Sequence, residues 1–343
     1  MTAGGDGPAS IEDVARRAGV SIATVSRSLR GLPEVAGHTR DRVVAAAREL
    51  NYVASPFAAR LASGRTATIG VVVPFVDRWF FAAVLGAVEA QLGRAGYDLL
   101  LYNLNDIAGR QRFFDVLPVR KRVDGLLVVS ISLTAPELTA LHALNVPVGL
   151  IGTHVEGFLS SRIDDVGGAK LAVQHLIGLG HTRIALIGGD TDDPMRFTPP
   201  LYRRNGYLAA LADAGIEVDP ALEVLGYFTI DGGEAAMATL LDRSHPPTAV
   251  FAESDEMAFG AMKTLRKRGL RVPQDVAVIG FDDHDAAELL DLSTVRQPVY
   301  AQGATVARAL LAAAGGELGP QPAIVLPTEL VIRGSTDPAH TVF

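Results

Sequence analysis

Hydrophobic residues recur with one period near the N-terminus and with another from Thr68 onward. Val14, Ala15 and Ala18 fall at helical spacing behind Ser10-Ile11-Glu12-Asp13, an N-cap followed three residues on by an acid, which predicts a helix over 11–18. Gly19 ends it. Ser21 is placed to cap a second helix, leaving a turn of about three residues, the helix-turn-helix spacing. At about 100° per residue, Val25 and Leu29 of this second helix point one way, while Ala23, Ser26, Arg27 and Arg30 form the opposite arc. A third helix, expected over 39–51, turns Val43, Val44, Ala47 and Leu50 inward. The segment 55–64, SPFAARLASG, has Pro56 for a first helical turn and Gly64 for a C-terminal cap. It is too short to be a stable helix alone.

Beyond Thr68, short β-branched runs alternate with longer amphipathic stretches. The runs cover 68–73, 97–102, 125–129, 148–151, 183–187, 249–252 and 276–281. Near-continuous apolar strands alternating with helices predict an α/β body of parallel sheets covered on both faces. So many units exceed one comfortable sheet, and the acidic turn at 163–168 marks a boundary between two halves. A late helix over 299–314 and a last strand near 323–330 are expected to return and complete the first half.

Composition narrows the chemistry. The 343 residues are 48% apolar and 20% charged, without a low-complexity tract, so the bulk of the chain folds. There is no cysteine, which excludes disulfides, thiol nucleophiles, zinc-thiolate sites and iron-sulfur clusters. The opening MTAGGDGPAS has neither a basic nor an apolar leader region, and no apolar run reaches the roughly 18 residues of a membrane span, so a soluble cytoplasmic protein is expected. The formal charge of −7 is unevenly divided. Residues 1–64 carry eight arginines against six carboxylates, a net of +2, and the remainder carries 23 basic and 32 acidic residues, a net of −9. That asymmetry suggests a small polyanion-binding end on an acidic body.

The run IEDVARRAGVSIATVSRSLRG, followed by NY, a proline-led hinge, Leu61 and GRTATIGVVVP, resembles the LacI/GalR family of bacterial transcription regulators. HLIGLGHTRIALIGG, ESDEMAFGAM, GLRVPQDVAVIGFDD and TVRQP extend the resemblance over essentially the whole chain. It implies an N-terminal helix-turn-helix DNA-binding domain (1–54), a hinge helix and linker (55–66) and a two-lobed body like periplasmic sugar-binding proteins (67–343). The N-lobe would comprise about 67–165 and 297–326, the C-lobe about 166–296 and 327–336. It further implies that Ile22, Ala23 and Arg27 read bases, with Ser21, Thr24 and Ser26 near phosphates. The helical arc found above agrees for Ala23, Ser26 and Arg27, and arginine is suited to the O6 and N7 of guanine. Arg30 stands where the family has asparagine, Ala36 where a serine caps the third helix and Ala59 where the hinge has arginine. Arg30 is assigned a phosphate contact, and Arg60 can stand in for the hinge arginine. Leu61 is implied to be a minor-groove wedge that trades unstacking for a bent duplex.

For the body, the resemblance sends Asp282, Arg203, Ser254, Phe228 and Gln297, with Trp79 or Phe80, to an effector cleft between the lobes. Asp282-Asp283 also stands out independently, because it follows the apolar run 276–281, and ligands of α/β proteins bind at the carboxyl ends of parallel strands. A carboxylate, a guanidinium and aromatic rings suit a polyhydroxylated effector such as a sugar or glycoside. Ser254 replaces the family's asparagine, and Gly152 stands where an acid sometimes contributes. No GxxxxGK[ST], GxGxxG, HExxH or GxSxG motif occurs, and the eight histidines are scattered, so neither an enzyme nor a metal or cofactor site is expected. The expected protein is a homodimeric, ligand-responsive regulator, a repressor binding pseudo-palindromic double-stranded operator DNA. A transport-only binding protein and a sugar-processing enzyme are the alternatives.

Overall fold

The computed structural model describes residues 9–29, 33–52, 65–317, 323–337 and 339. The chain divides into two compact units, Met1–Ala67 and Thr68–Phe343.

In the first unit, helix α1 (Ile11–Ala18) is closed at its N-terminus by a reciprocal capping box, Ser10 Oγ accepting from Asp13 N and Asp13 Oδ2 from Ser10 N. Gly19 ends it at a φ of 64°, a left-handed conformation that glycine adopts without steric penalty. Helix α2 spans Ile22–Leu29, and Ser21 Oγ accepts from Thr24 N at 3.2 Å. Helix α3 is Gly37–Glu49, shifted two residues toward the N-terminus from its expected span, with Ala36 making no side-chain cap bond. Val14, Ala15, Ala18, Val25, Val43, Ala46 and Ala47 form the core. Ala46, rather than Val44, takes a buried place in α3. Arg30 and residues 53–64, which include Ala59, Arg60 and Leu61, lie outside the described residues.

The second unit contains two six-stranded sheets. The first has the order β11-β5-β4-β3-β1-β2, with β1 Thr68–Val73, β2 Asp98–Asn103, β3 Gly125–Val129, β4 Val148–Ile151, β5 Leu159–Ile163 and β11 Ala323–Leu326, all parallel. The second has the order β12-β10-β9-β8-β6-β7, with β6 Ile184–Gly188, β7 Glu223–Leu225, β8 Ala249–Ala252, β9 Ala277–Asp282, β10 Ser293–Arg296 and β12 Glu329–Val331. Only β12 runs antiparallel among these described pairings. Apolar strands are sandwiched by helices, giving each sheet a packed layer on both faces.

The chain passes from one sheet to the other after β5, after β10 and after β11. Helix α12 (Val299–Ala314) returns to the first sheet, where Val299, Val306, Ala307 and Leu310 pack on Ile69, Leu127 and Val129. The expected single strand over 323–330 is two strands: β11 pairs with β5, and after Pro327-Thr328 the chain enters the other sheet as β12. Strands β5, β7 and β10 were not among the apolar runs.

Candidate DNA-reading face and effector cleft

Helix α2 buries Val25 and Ser28 and turns Ile22, Ala23 and Arg27 outward. Ile22 is 47% exposed, an uncommon position for a large apolar side chain unless it meets a partner. Arg27 holds its own helix loosely, Nε donating to Ala23 O at 3.3 Å. Ser21 and Thr24 hydroxyls bond each other at 2.9 Å at the helix start, and Ser26 is half-buried. Helix α2 thus presents a base-sized apolar group and a fork-shaped donor on one exposed arc.

In the body, a cleft with about 380 Å³ of empty space, partly open to solvent, is lined by Phe80, Ser130, Gly152, Ile163, Asp165, Phe197, Pro199, Arg203, Phe228, Asp282, Gln297 and Gln302. Nearly all its polar residues stand at or just past the carboxyl end of a strand: Ser130 after β3, Gly152 after β4, Asp165 after β5, Asp282 at the end of β9 and Gln297 after β10. Helix α8 (Pro199–Asp213) supplies Arg203 from its first turn.

Arg203 is 4% exposed and organises the floor of the cleft. Its Nε donates to Asp165 Oδ1 at 2.9 Å, its Nη1 donates to Asp282 Oδ1 at 3.2 Å and to Glu253 O, and its plane lies 3.7 Å over the Phe281 ring. Gln297 Nε2 donates to the same Asp282 oxygen at 2.6 Å, and Gln302 Nε2 supports Gln297 Oε1 at 2.9 Å. Burial pushes the Asp282 carboxyl up to about 6 against the opposing pull of Arg203 and Gln297. Burial likewise raises Asp165, opposed by Arg203, while Arg203 itself is raised because its acidic partners outweigh its own desolvation. Glu253, whose Oε2 accepts from Gly189 N at 2.9 Å, is pushed up to about 8 by burial.

Several cleft residues hold uncommon backbone angles: Ser130 at φ 54°, Phe228 at 56° and Asp282 at 125°. Non-glycine residues there cost of order 1–3 kcal/mol each and persist where the surroundings fix them, commonly at ligand sites. Gly152 has a φ of 77°, and a Cβ there would meet Ser130 Oγ at 2.5 Å, so this position has no room for the acid that some relatives supply.

Of the residues singled out in the sequence, Phe80, Arg203, Phe228, Asp282 and Gln297 line this cleft together. Ser254 does not. It is 1% exposed and caps helix α10 (Asp255–Lys267), its Oγ accepting from Met257 N at 3.3 Å. Trp79, the first residue of helix α4 (Trp79–Arg94), is also absent from the lining. Its indole N–H donates to Asp285 at 3.2 Å and its ring packs on His284, so it bridges the lobes. Asp165, Phe197, Ser130 and Gln302 were not singled out. The strand-end logic that picks Asp282 would have picked Asp165 had Leu-Ser-Ser-Arg-Ile been recognised as a strand.

Two further contacts cross between the lobes. Ile131 forms an antiparallel bridge with Phe197, with Ser132 N donating to Arg196 O at 2.9 Å. Arg110, 3% exposed on helix α5 (Ile107–Val116), pairs bidentately with Glu137 and donates to Met195 O. The segment 190–198 is thereby an arm of one lobe fastened to the other. Among the described residues no group of three or more potential metal ligands is found, and no helix is long and apolar enough to cross a membrane.

A helix-turn-helix unit on a two-lobed body with a polar interlobe cleft defines a ligand-responsive DNA-binding regulator. Residues 10–55 match the model of bacterial regulatory proteins of the lacI family, and residues 173–336 match a periplasmic binding protein-like domain. The chain is 35% identical over 333 residues to the HTH-type transcriptional repressor CytR of Escherichia coli strain K12, covering 96% of each chain. It also superposes on the transcriptional regulator CelR–cellobiose complex with a TM-score of 0.70 at 35% identity, covering 95% of this chain and 99% of that one. The lac repressor dimer bound to operator and the anti-inducer ONPF gives a TM-score of 0.84 at 28% identity, covering 96% and 99%. The protein belongs to the LacI family of bacterial regulatory proteins and is a DNA-binding transcription regulator.

Proposed function

We propose that this regulator is a cytoplasmic, non-enzymatic repressor, acting as a homodimer on a pseudo-palindromic operator and released or retained by a small neutral polyhydroxylated effector bound between its lobes. The observation that carries the effector reading is Asp282: Oδ1 is held by Arg203 and Gln297 at the bottom of an aromatic-walled cleft, which leaves Oδ2 as the oxygen to accept a ligand hydroxyl. Phe80, Phe197 and Phe228 offer apolar surface to the C–H face of a sugar ring. Trp79 acts in this reading by fastening the closed lobes, and Ser254 by fixing the helix start beneath Glu253.

For DNA, Ile22, Ala23 and Arg27 read base edges, Ser21, Thr24, Ser26 and Arg30 meet phosphates, and Leu61 wedges the minor groove. Dimer symmetry then matches operator symmetry. The domain limits follow the same reading: 1–54, 55–66 and 67–343, with the lobes exchanging chain after β5, β10 and β11. The lac repressor dimer on its operator supports the assembly, and the CelR–cellobiose complex supports the effector class. Genomic footprinting of the protein with and without candidate glycosides tests this. Discrete palindromic footprints that change on adding a glycoside are expected, and turnover of the glycoside by pure protein would overturn the reading in favour of an enzyme.

A further inference from the structure

A second chamber adjoins the cleft. It encloses about 460 Å³ of empty space and is lined by Phe75, Arg78, Gly189, Asp190, Asp193, Phe197, Pro200, Tyr227 and Phe228. Phe197 and Phe228 belong to both chambers, their rings edge to face at 5.1 Å. The partition depends on Gly189, where a Cβ would meet the Phe228 ring at 2.4 Å and Pro200 at 2.6 Å. Each chamber sits near the small end of the roughly 300–1,000 Å³ typical of ligand sites, so a single ring would fill one and leave the other to water.

Arg78 dominates the second chamber. Its guanidinium lies 3.9 Å from the Phe75 ring centroid and 6.0 Å from those of Phe197 and Phe228. Stacking occupies its face and leaves its in-plane N–H groups available. It makes no side-chain hydrogen bond or ion pair among the described residues, although it is half-buried. Burial lowers its pKa, so the charge is partly desolvated and its donors lack partners. Asp77, Glu256 and Asp193 lie close enough to raise it in turn. A phosphate would meet those carboxylates as well as the guanidinium. A neutral acceptor would not.

We propose that the Arg78 chamber is a subsite for the second ring of a two-ring, uncharged glycoside, with Arg78 donating to an oxygen of that ring and Asp190 or Asp193 accepting from its hydroxyl or N–H. Phe75 and Tyr227 flank the ring, and Phe197 and Phe228 lie at the junction between rings. The proposal rests on the reading of the Asp282 cleft as the effector site, where the first ring binds. A second sugar and a nucleobase share the chemistry required here, an uncharged ring bearing both donors and acceptors.

Calorimetric titration of the full-length protein with cellobiose against glucose, and uridine against ribose, separates these sources. At least one two-ring compound is expected to bind about tenfold or more tighter than its one-ring counterpart, the scale of one well-made polar contact plus ring burial. Arg78→Met, which keeps an apolar stem over Phe75, is expected to erase that advantage without altering one-ring affinity or the melting temperature. Arg78→Lys keeps the charge without the fork and is expected not to restore it. An unchanged two-ring advantage in Arg78→Met overturns the subsite, as does tighter binding of glucose 6-phosphate than of any neutral probe, or binding of none of the four. Asp282→Asn distinguishes the underlying reading. If it leaves the affinity for the bound two-ring compound unchanged, the cleft assignment itself fails; if it weakens binding while Arg78→Met does not, only the second-ring subsite fails.

Discussion

Arg203 and Asp282 line the same cleft but carry different burdens. Arg203 balances Asp165 and Asp282 and holds the Glu253 carbonyl, all in the interior. Removing one partner of a buried ion pair strands the others at a cost of about 3–5 kcal/mol. Arg203→Ala should therefore lower the melting temperature sharply, measured by circular dichroism, and a variant as stable as the parent would contradict this account. Arg27 is the opposite case, exposed and tied only to its own helix. Arg27→Ala should lose about 1–3 kcal/mol of operator discrimination while keeping weak salt-dependent binding to random DNA. An unchanged footprint and affinity would reject its base-reading role. Glu253 makes a pH prediction. Its folded pKa of about 8 lies above its ordinary 4.5, so between those values the folded state holds the extra proton and stability falls as pH rises. Asp255, also pushed up to about 8 by burial, adds in the same direction. His181 and His284 have lowered pKa values and oppose this only near and below their ordinary 6.5. Between about pH 7 and 8.5 the acids act alone, so the melting temperature should fall by up to about 1.4 kcal/mol of stability per pH unit for each acid. Glu253→Gln should flatten that slope, and a melting temperature rising through this window would contradict the assignment.

At the scale of elements, what the sequence disclosed depended on whether the partners were near in the chain. The capping box of α1 joins residues three apart, and both helices of the reading motif were evident from it and from Gly19. Ser10→Ala should cost the DNA-binding unit about 1 kcal/mol, visible as an earlier first transition in melts of the full protein with the body's transition unmoved. Strands β5 and β10 were hidden for the converse reason. Their serines and threonine read as turn residues, yet Ser293 is satisfied by Arg333, Ser335 and Thr336 some forty residues away, and Thr294 by Asp255. Periodicity does not register a polar residue buried by a distant partner. The same omission concealed Asp165, since its strand went unrecognised. The 190–198 arm was equally silent in sequence, because its hold on the other lobe comes from Arg110 and from backbone bonds to Ser130 and Ser132. Arg110→Met should loosen it, raising hydrogen exchange of the Arg196 and Thr198 amides; unchanged protection would show that the backbone bridge alone holds the arm.

The whole molecule combines a net-positive segment with an acidic body, and its two sites lie in separate compact units. That separation permits a test in which DNA binding and ligand response come apart. Asp282→Asn keeps the side-chain volume and still offers an oxygen to Gln297, but it removes the charge facing Arg203 and weakens the acceptor left for a ligand hydroxyl. Loss of a charge-assisted hydrogen bond to a desolvated ligand costs about 1–3 kcal/mol, which lowers effector affinity roughly tenfold or more. Because Arg27 and its neighbours belong to the other unit, operator affinity without effector should stay unchanged. Effector acts only through its differential affinity for the two states of the protein, so weaker binding demands proportionally more ligand for the same shift. If the effector releases the operator, the half-release concentration in a fluorescence-anisotropy titration should move upward by the same factor as the effector dissociation constant. Equal operator affinity with a shifted release curve is the expected pair of results. Loss of operator binding together with an early melt would instead mark Asp282 as a structural residue, consistent with its strained φ of 125° at the end of β9.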